Sequence, residues 1–145
     1  MIHTVTKVTR VLLARLGDCE PLPEALLEVA RQERIDAGTV QGSGVVNGVA
    51  VAPFDEGLGR HGAPREIEGT LDLASLSGMI AERAGGIDVR LEAVLARDGA
   101  VVAAGLLVRA RAVAVEIAVD VYDEGDVERV EGGDGIPAWR PPRRR

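Results

Sequence analysis

Ile87 to Asp123 reads IDVRLEAVLARDGAVVAAGLLVRARAVAVEIAVDVYD, and this stretch decides the fold. Val89, Leu91, Ala93 and Leu95 alternate with Asp88, Arg90, Glu92 and Val94, the period-two pattern of a strand with one apolar face. Asp98-Gly99 supplies a tight hairpin, because a type I′ turn needs positive φ at both central residues. The return run, Val101 to Val108, is almost wholly apolar and is expected to be buried on both faces. Arg109 to Arg111 is read as a break. A third strand then places Val113, Val115, Ile117, Val119 and Val121 on one face, with Ala112, Ala114, Glu116, Ala118 and Asp120 on the other. Glu116 is thus expected as a carboxylate on a small-residue face in a sheet interior. Such a charge is either ion-paired or part of a site.

Outward from this unit, the chain has 145 residues, which suits one domain. Hydrophobic content is 46 % but aromatics are only 2 %, so the core must be aliphatic. The formal charge of −6 argues against general nucleic-acid affinity, which rests on phosphate neutralisation. The terminus Arg140-Pro141-Pro142-Arg143-Arg144-Arg145 is a local exception. A single cysteine, Cys19, forms no intramolecular disulfide and no thiolate metal cluster. No apolar run approaches the ~20 residues of a spanning helix, and no signal peptide is evident. A cytoplasmic location and no membrane partner are the expectation.

Thr4 to Leu16 reads as an opening strand, with a bulge near Thr9-Arg10. Leu22 to Arg34 is the main amphipathic helix, with Leu22, Ala25, Leu26, Val29 and Ala30 on one face. In Ala37 to Asp55, two β runs flank Gly42-Ser43-Gly44. A dinucleotide-binding loop would need a helix next, but Val45 to Phe54 reads as strand. The glycines therefore point to a bulge or a close backbone approach, and Asn47-Gly48 to a second bend. A polar loop, Glu56 to Pro64, contains His61. Arg65 to Asp72 and Ser75 to Glu82 read as strands, and Ala84-Gly85-Gly86 as a turn. Residues 1–123 form the expected domain and 124–145 a charged Gly/Pro/Arg-rich tail. Trp139 in that tail is expected to dock on its own domain or a neighbouring subunit, since a large apolar surface is costly to leave wet. One helix among many strands makes the fold class α+β.

Ala37-Gly38, Gly42-Ser43-Gly44, Phe54-Asp55, Leu76-Ser77-Gly78, Asp98-Gly99, Gly105 and Glu116, in this order and spacing, resemble the plants-and-prokaryotes-conserved (PPC) domain. The resemblance runs from about Thr6 to Tyr122 and implies a mixed, mostly antiparallel curled sheet with one helix packed on it, forming a homotrimer. It also implies two backgrounds: plant members that accompany an AT-hook in DNA-binding proteins, and prokaryotic members that stand alone. Many prokaryotic members have H-x-H before the D-G hairpin and a third histidine after it, a set that suits zinc. This chain departs at each place, with Arg90, Glu92 and Leu106. Arginine does not ligate a cation and leucine offers no donor, so no bound metal and no cofactor are expected.

The resemblance implies a ligand site around Arg90, Glu92 and Glu116, with the glycines Gly42, Gly44 and Gly105. Arg90 would supply the positive charge that a metal supplies elsewhere, paired with Glu92 or Glu116. Arg65-Glu66-Ile67-Glu68 is only distantly similar to the plant motif, and the arginine terminus lacks the AT-hook glycine. The leading expectation is a non-enzymatic homotrimer binding a small anionic ligand or a protein partner at an inter-subunit cleft. The first alternative is DNA association through Arg140, Arg143, Arg144 and Arg145. The second is a carboxylate-dependent enzyme using Glu66, Glu68, Glu92 or Glu116 as a base. That alternative lacks a nucleophile–histidine pair: Ser43 and Ser77 have no histidine near in sequence.

Overall fold

The computed structural model describes residues 1–122, 127–132 and 136–141. In chain order the elements are β1 (Val8–Gly17), β2 (Pro21–Leu22), α1 (Glu24–Gln32), β3 (Gly38–Ala52), β4 (Phe54–Asp55), β5 (Arg60–His61), β6 (Arg65–Ile67), β7 (Leu71–Arg83), β8 (Gly86–Arg97), β9 (Ala100–Tyr122), β10 (Glu128–Glu131) and β11 (Pro137–Arg140). The sheet dominates. The pairings β3–β7, β7–β8, β8–β9 and β9–β3 are all antiparallel and close into a ring. The curl that the family resemblance implies is therefore complete, and closure removes the exposed edges of these four strands. One parallel contact, Glu128 opposite Glu82, attaches the β10–β11 hairpin to β7 and makes the sheet mixed.

β9 is the spine. It pairs with β8 through its first part, with β3 from Leu106 to Val121, and with β1 along its last part. Arg109 to Arg111 does not break it. Ala110 is buried while Arg109 and Arg111 are exposed, so the strand alternation simply continues through the arginines. Register shifts against β3 near Val45, Asn47 and Ala50 let so long a strand bend around the ring. One of them inverts the faces: Ala112 is buried and Val113 exposed, after which Val115, Ile117, Val119 and Val121 point inward. Glu116 lies on the outer, exposed face and not in a sheet interior. Val101 and Val102 are exposed as well, because the tip of the β8–β9 hairpin projects beyond the core.

The helix is shorter than its apolar periodicity implies. Pro21 and Leu22 pair with Arg111 and Ala110 of β9, so α1 starts only at Glu24. It is a single minor helix that buries Leu26 and Ala30. Asp98 and Gly99 have φ of 50° and 78°, the turn that the Asp-Gly pair predicts. The predicted bulges at Thr9 and at Gly42–Gly44, and the predicted bend at Asn47-Gly48, coincide with register shifts. Arg65–Ile67 and Leu71–Arg83 divide the β segment differently from the sequence pattern, with Gly69 at positive φ between them.

The main core is aliphatic throughout, with Leu71, Leu73, Leu76, Ile80, Leu91 and Leu95 among its buried residues. Each such side chain contributes roughly 1.5–3 kcal/mol on burial. The Glu124–Arg145 segment contributes β10 and β11. Val127 packs with Ala37 and Ala81 in a second small cluster, against which Met79, Tyr122 and Trp139 lie half-buried. Trp139 thus docks on its own domain. The Thr39 hydroxyl hydrogen-bonds the Tyr122 hydroxyl nearby.

Candidate functional site

β8 alternates cleanly. Leu91 and Ala93 face the core, each about 1 % exposed, and this turns Arg90 and Glu92 outward on one face. The short β4–β5 hairpin brings His61 against them. Arg90 Nη2 donates to His61 Nδ1 at 3.3 Å and lies 3.5 Å from Glu92 Oε1. His61 Nε2 is 3.9 Å from the same carboxylate oxygen. With Arg90 donating into Nδ1, the neutral imidazole carries its proton on Nε2, toward Glu92. Phe54 packs edge-on against the His61 ring at 5.9 Å and 85°. The Arg90 and His61 side chains are 20 % exposed and that of Glu92 46 %, so the cluster is partly dry with an open mouth. Among the described residues, Arg90 Nε and Nη1 make no hydrogen bond.

Leu106 pairs directly with Glu92, so positions 90, 92 and 106 converge. Their chemistry does not fit a divalent cation. The guanidinium occupies the middle of the cluster, Leu106 brings no donor, and only His61 and Glu92 remain as ligands. Among the described residues no group of three or more His, Cys, Asp or Glu could hold a metal.

Beside the cluster, along the same face of β8, lies a second ionic group. Arg129 of β10 is 6 % exposed, and its Nε sits 2.8 Å from Asp88 Oδ2 without the alignment of a hydrogen bond. Arg83 Nη1 lies 3.9 Å from Asp88 Oδ1, and Arg83 also bonds Glu131. Burial holds the Arg129 guanidinium below its ordinary pKa, and nearby Arg90 and Arg83 add to this while Asp88 opposes it.

Glu116 belongs elsewhere. It faces Ser43, and the register sets β3 and β7 between it and Glu92. It borders an open groove of about 930 Å³ on the outer sheet face, with Arg15, Thr39, Gln41 and Ser77. Gly42 also borders this groove. Gly44, at φ +149°, marks the crossing of β3 over β9: a Cβ there would lie 2.1 Å from the Ala114 carbonyl oxygen. Gly105 is pressed similarly against Ala52, beside Leu106. Arg140 is tied to Glu128 at 3.1 Å. Arg143, Arg144 and Arg145 lie outside the described residues.

His61, Asp88 and Arg129 are the members that sequence reasoning missed. His61 sits in a stretch too short and Gly-rich for periodicity to register. The usable signal was Phe54-Asp55 and Arg60-His61 flanking a Gly-containing turn, in which Asp55 Oδ1 accepts from the Leu58 amide.

Comparison with solved structures places this architecture. A PPC protein from Pyrococcus horikoshii superposes with a TM-score of 0.87 at 21 % identity, covering 97 % of each chain. A metal-containing protein from Archaeoglobus fulgidus gives 0.88 at 23 %, covering 96 % of this chain and 99 % of that one. A protein from Bacteroides thetaiotaomicron, proposed to bind DNA, gives 0.80 at 18 %, covering 92 % and 93 %. No curated protein matches. The sequence profile of the Plants and Prokaryotes Conserved (PCC) domain matches residues 3–123, nearly all of the closed sheet and its helix, and the chain belongs to that family.

Proposed function

We propose that this PCC-domain protein is a non-enzymatic homotrimer that holds a small anionic ligand, or the acidic group of a protein partner, in a cleft between subunits, with Arg90 as the anchor. The carrying observation is the Arg90 guanidinium: fixed through Nη2 by His61 and Glu92, it keeps Nε and Nη1 for a carboxylate or phosphate. Self-association is supported by the outer face, where Val11 and Leu13 are exposed beside Arg15 and Glu116. Such an apolar face is costly to leave wet and suits burial against a different face of another copy of the chain, the head-to-tail contact that closes a ring.

The test is a thermal-shift series with carboxylate and phosphate metabolites, zinc and a chelator, with mass measured by light scattering. A ligand bound only by the folded state raises Tm by mass action. The expected result is stabilisation by anions, loss of that shift in Arg90→Ala, no shift with zinc, and a trimer mass. Stabilisation by zinc with destabilisation by chelator would overturn the assignment of Arg90, Glu92 and Leu106.

A DNA-associated role is the second reading. Its support is the similar Bacteroides thetaiotaomicron protein proposed to bind DNA, together with the arginine terminus. Against it, Arg140 is engaged by Glu128 and the chain carries a formal charge of −6. If the terminus binds DNA, deleting residues 142–145 abolishes retention of duplex DNA, and retention falls steeply with salt. Retention that survives the deletion excludes the terminus as its cause.

A further inference from the structure

We infer that the Arg90 site takes a zwitterion with an aliphatic side chain, the chemistry of a free apolar α-amino acid; this rests on Arg90 as the anchor proposed above. Three features of the cluster narrow the ligand.

The first is Glu92. Its carboxylate lies 3.5 Å from Arg90 and is 46 % exposed, so a simple anion docking on the guanidinium would approach a like charge. A ligand that carries an ammonium group beside its carboxylate converts that repulsion into a second charge-assisted contact. Arg90 and Glu92 stand two residues apart on one strand face, about 6.6 Å along the strand. Their side-chain heads converge, which suits opposite charges borne on neighbouring atoms.

The second is the surface beyond Glu92. Leu106 faces Glu92 across β8–β9, and Ala104 faces Val94 in the next outward pair. Leu106 and Val94 are half-buried, Ala104 is exposed, and Val102 beyond them is 45 % exposed. The outward row therefore runs from charged at Asp88, Arg90 and Glu92 to wholly apolar at Val94, Ala104 and Leu106. A hydrocarbon group leaving the charged head in this direction is removed from water.

The third is His61. Arg90 occupies its Nδ1, and its Nε2 is directed to Glu92. The imidazole thereby holds the Arg90 head by a hydrogen bond and stands 3.9 Å from the Glu92 head, while Phe54 braces its ring. Preorganisation of this kind lowers the entropy lost on binding.

The experiment is calorimetric titration of the full chain with L-leucine, glycine, 4-methylpentanoate (leucine without its amine) and 3-methylbutylamine (leucine without its carboxylate). Leucine is expected to bind, with each truncated analogue at least tenfold weaker, as for loss of a hydrogen bond to a charged group. Glycine is also expected to be weaker by roughly tenfold, from lost apolar contact. Glu92→Gln, isosteric and partly exposed, should bring leucine and 4-methylpentanoate to equal affinity. Leu106→Asn should shrink the leucine-to-glycine ratio while preserving glycine binding. If 4-methylpentanoate binds the native protein as tightly as leucine, the zwitterion is overturned and the anion anchor stands. If no probe binds and Arg90→Ala changes nothing, both fall.

Discussion

Gly78→Ala is expected to cost about 3 kcal/mol of stability or more. Gly78 lies on β7 opposite Leu91. A Cβ there would sit 2.0 Å from the Arg90 carbonyl oxygen and 3.0 Å from the Leu91 Cα. Both atoms are backbone, so no rotamer change relieves the clash, and β7 must move away from β8 and stretch the hydrogen bonds that join them. For a chain of this size such a loss lowers Tm by roughly 10 °C. The same displacement shifts the backbone of Arg90, so anion binding should weaken with stability. Gly44→Ala separates the two effects. Its clash with the Ala114 carbonyl oxygen is as severe, but it lies on the β3–β9 crossing, away from Arg90. Thermal unfolding followed by circular dichroism, with ligand titration of each variant, reads both. A Gly78→Ala protein melting within two or three degrees of the native one would refute the close β7–β8 approach.

Asp88→Asn should destabilise by about 3 kcal/mol, while Arg129→Met costs less than about half as much. The asymmetry comes from the neighbours. Arg129 is 6 % exposed, and Arg83 and Arg90 are the other charges that act on it besides Asp88. Neutralising Asp88 leaves a buried cation among cations, whereas neutralising Arg129 leaves a carboxylate that is 27 % exposed and still 3.9 Å from Arg83. Methionine also retains much of the packing of the arginine stem. The double variant should recover most of the Asp88→Asn loss. Urea denaturation of the three proteins checks the order; equal losses for both single variants would mean that Asp88 does not compensate Arg129.

Much of this fold was legible in local chemistry. Asp98-Gly99 announces its hairpin because φ is positive at both positions, and the β8 alternation follows from one buried face. What misled was context. Arg109 and Arg111 read as a break because two charges interrupt an apolar run, yet exposed arginines flanking a buried alanine are ordinary strand alternation. Val101 and Val102 read as core because hydropathy carries no information on how far a hairpin projects. At the site, Arg90 and Glu92 were visible because they stand where the resembled family has H-x-H, and two-residue spacing puts them on one face. His61 and Arg129 were not, because contacts with residues far along the chain leave no periodic trace. The placement of Glu116 failed for the same reason: a face assignment made within one strand cannot say how many strands separate it from another.

The pairing of β9 with β1 has a consequence for synthesis. Val8 sits opposite Tyr122 and Gly17 opposite Ala114, so β1 finds its partner only after all the strands between them, through β8, have been made. At about 5–20 residues per second, β1 with its exposed Val11 and Leu13 waits for several seconds outside the ribosome. During that interval its apolar alternation is available to any passing strand, including that of a neighbouring nascent copy. The long separation of the pair thus makes β1 dependent on chaperone cover, and the protein's yield should respond more strongly to expression rate than to final stability.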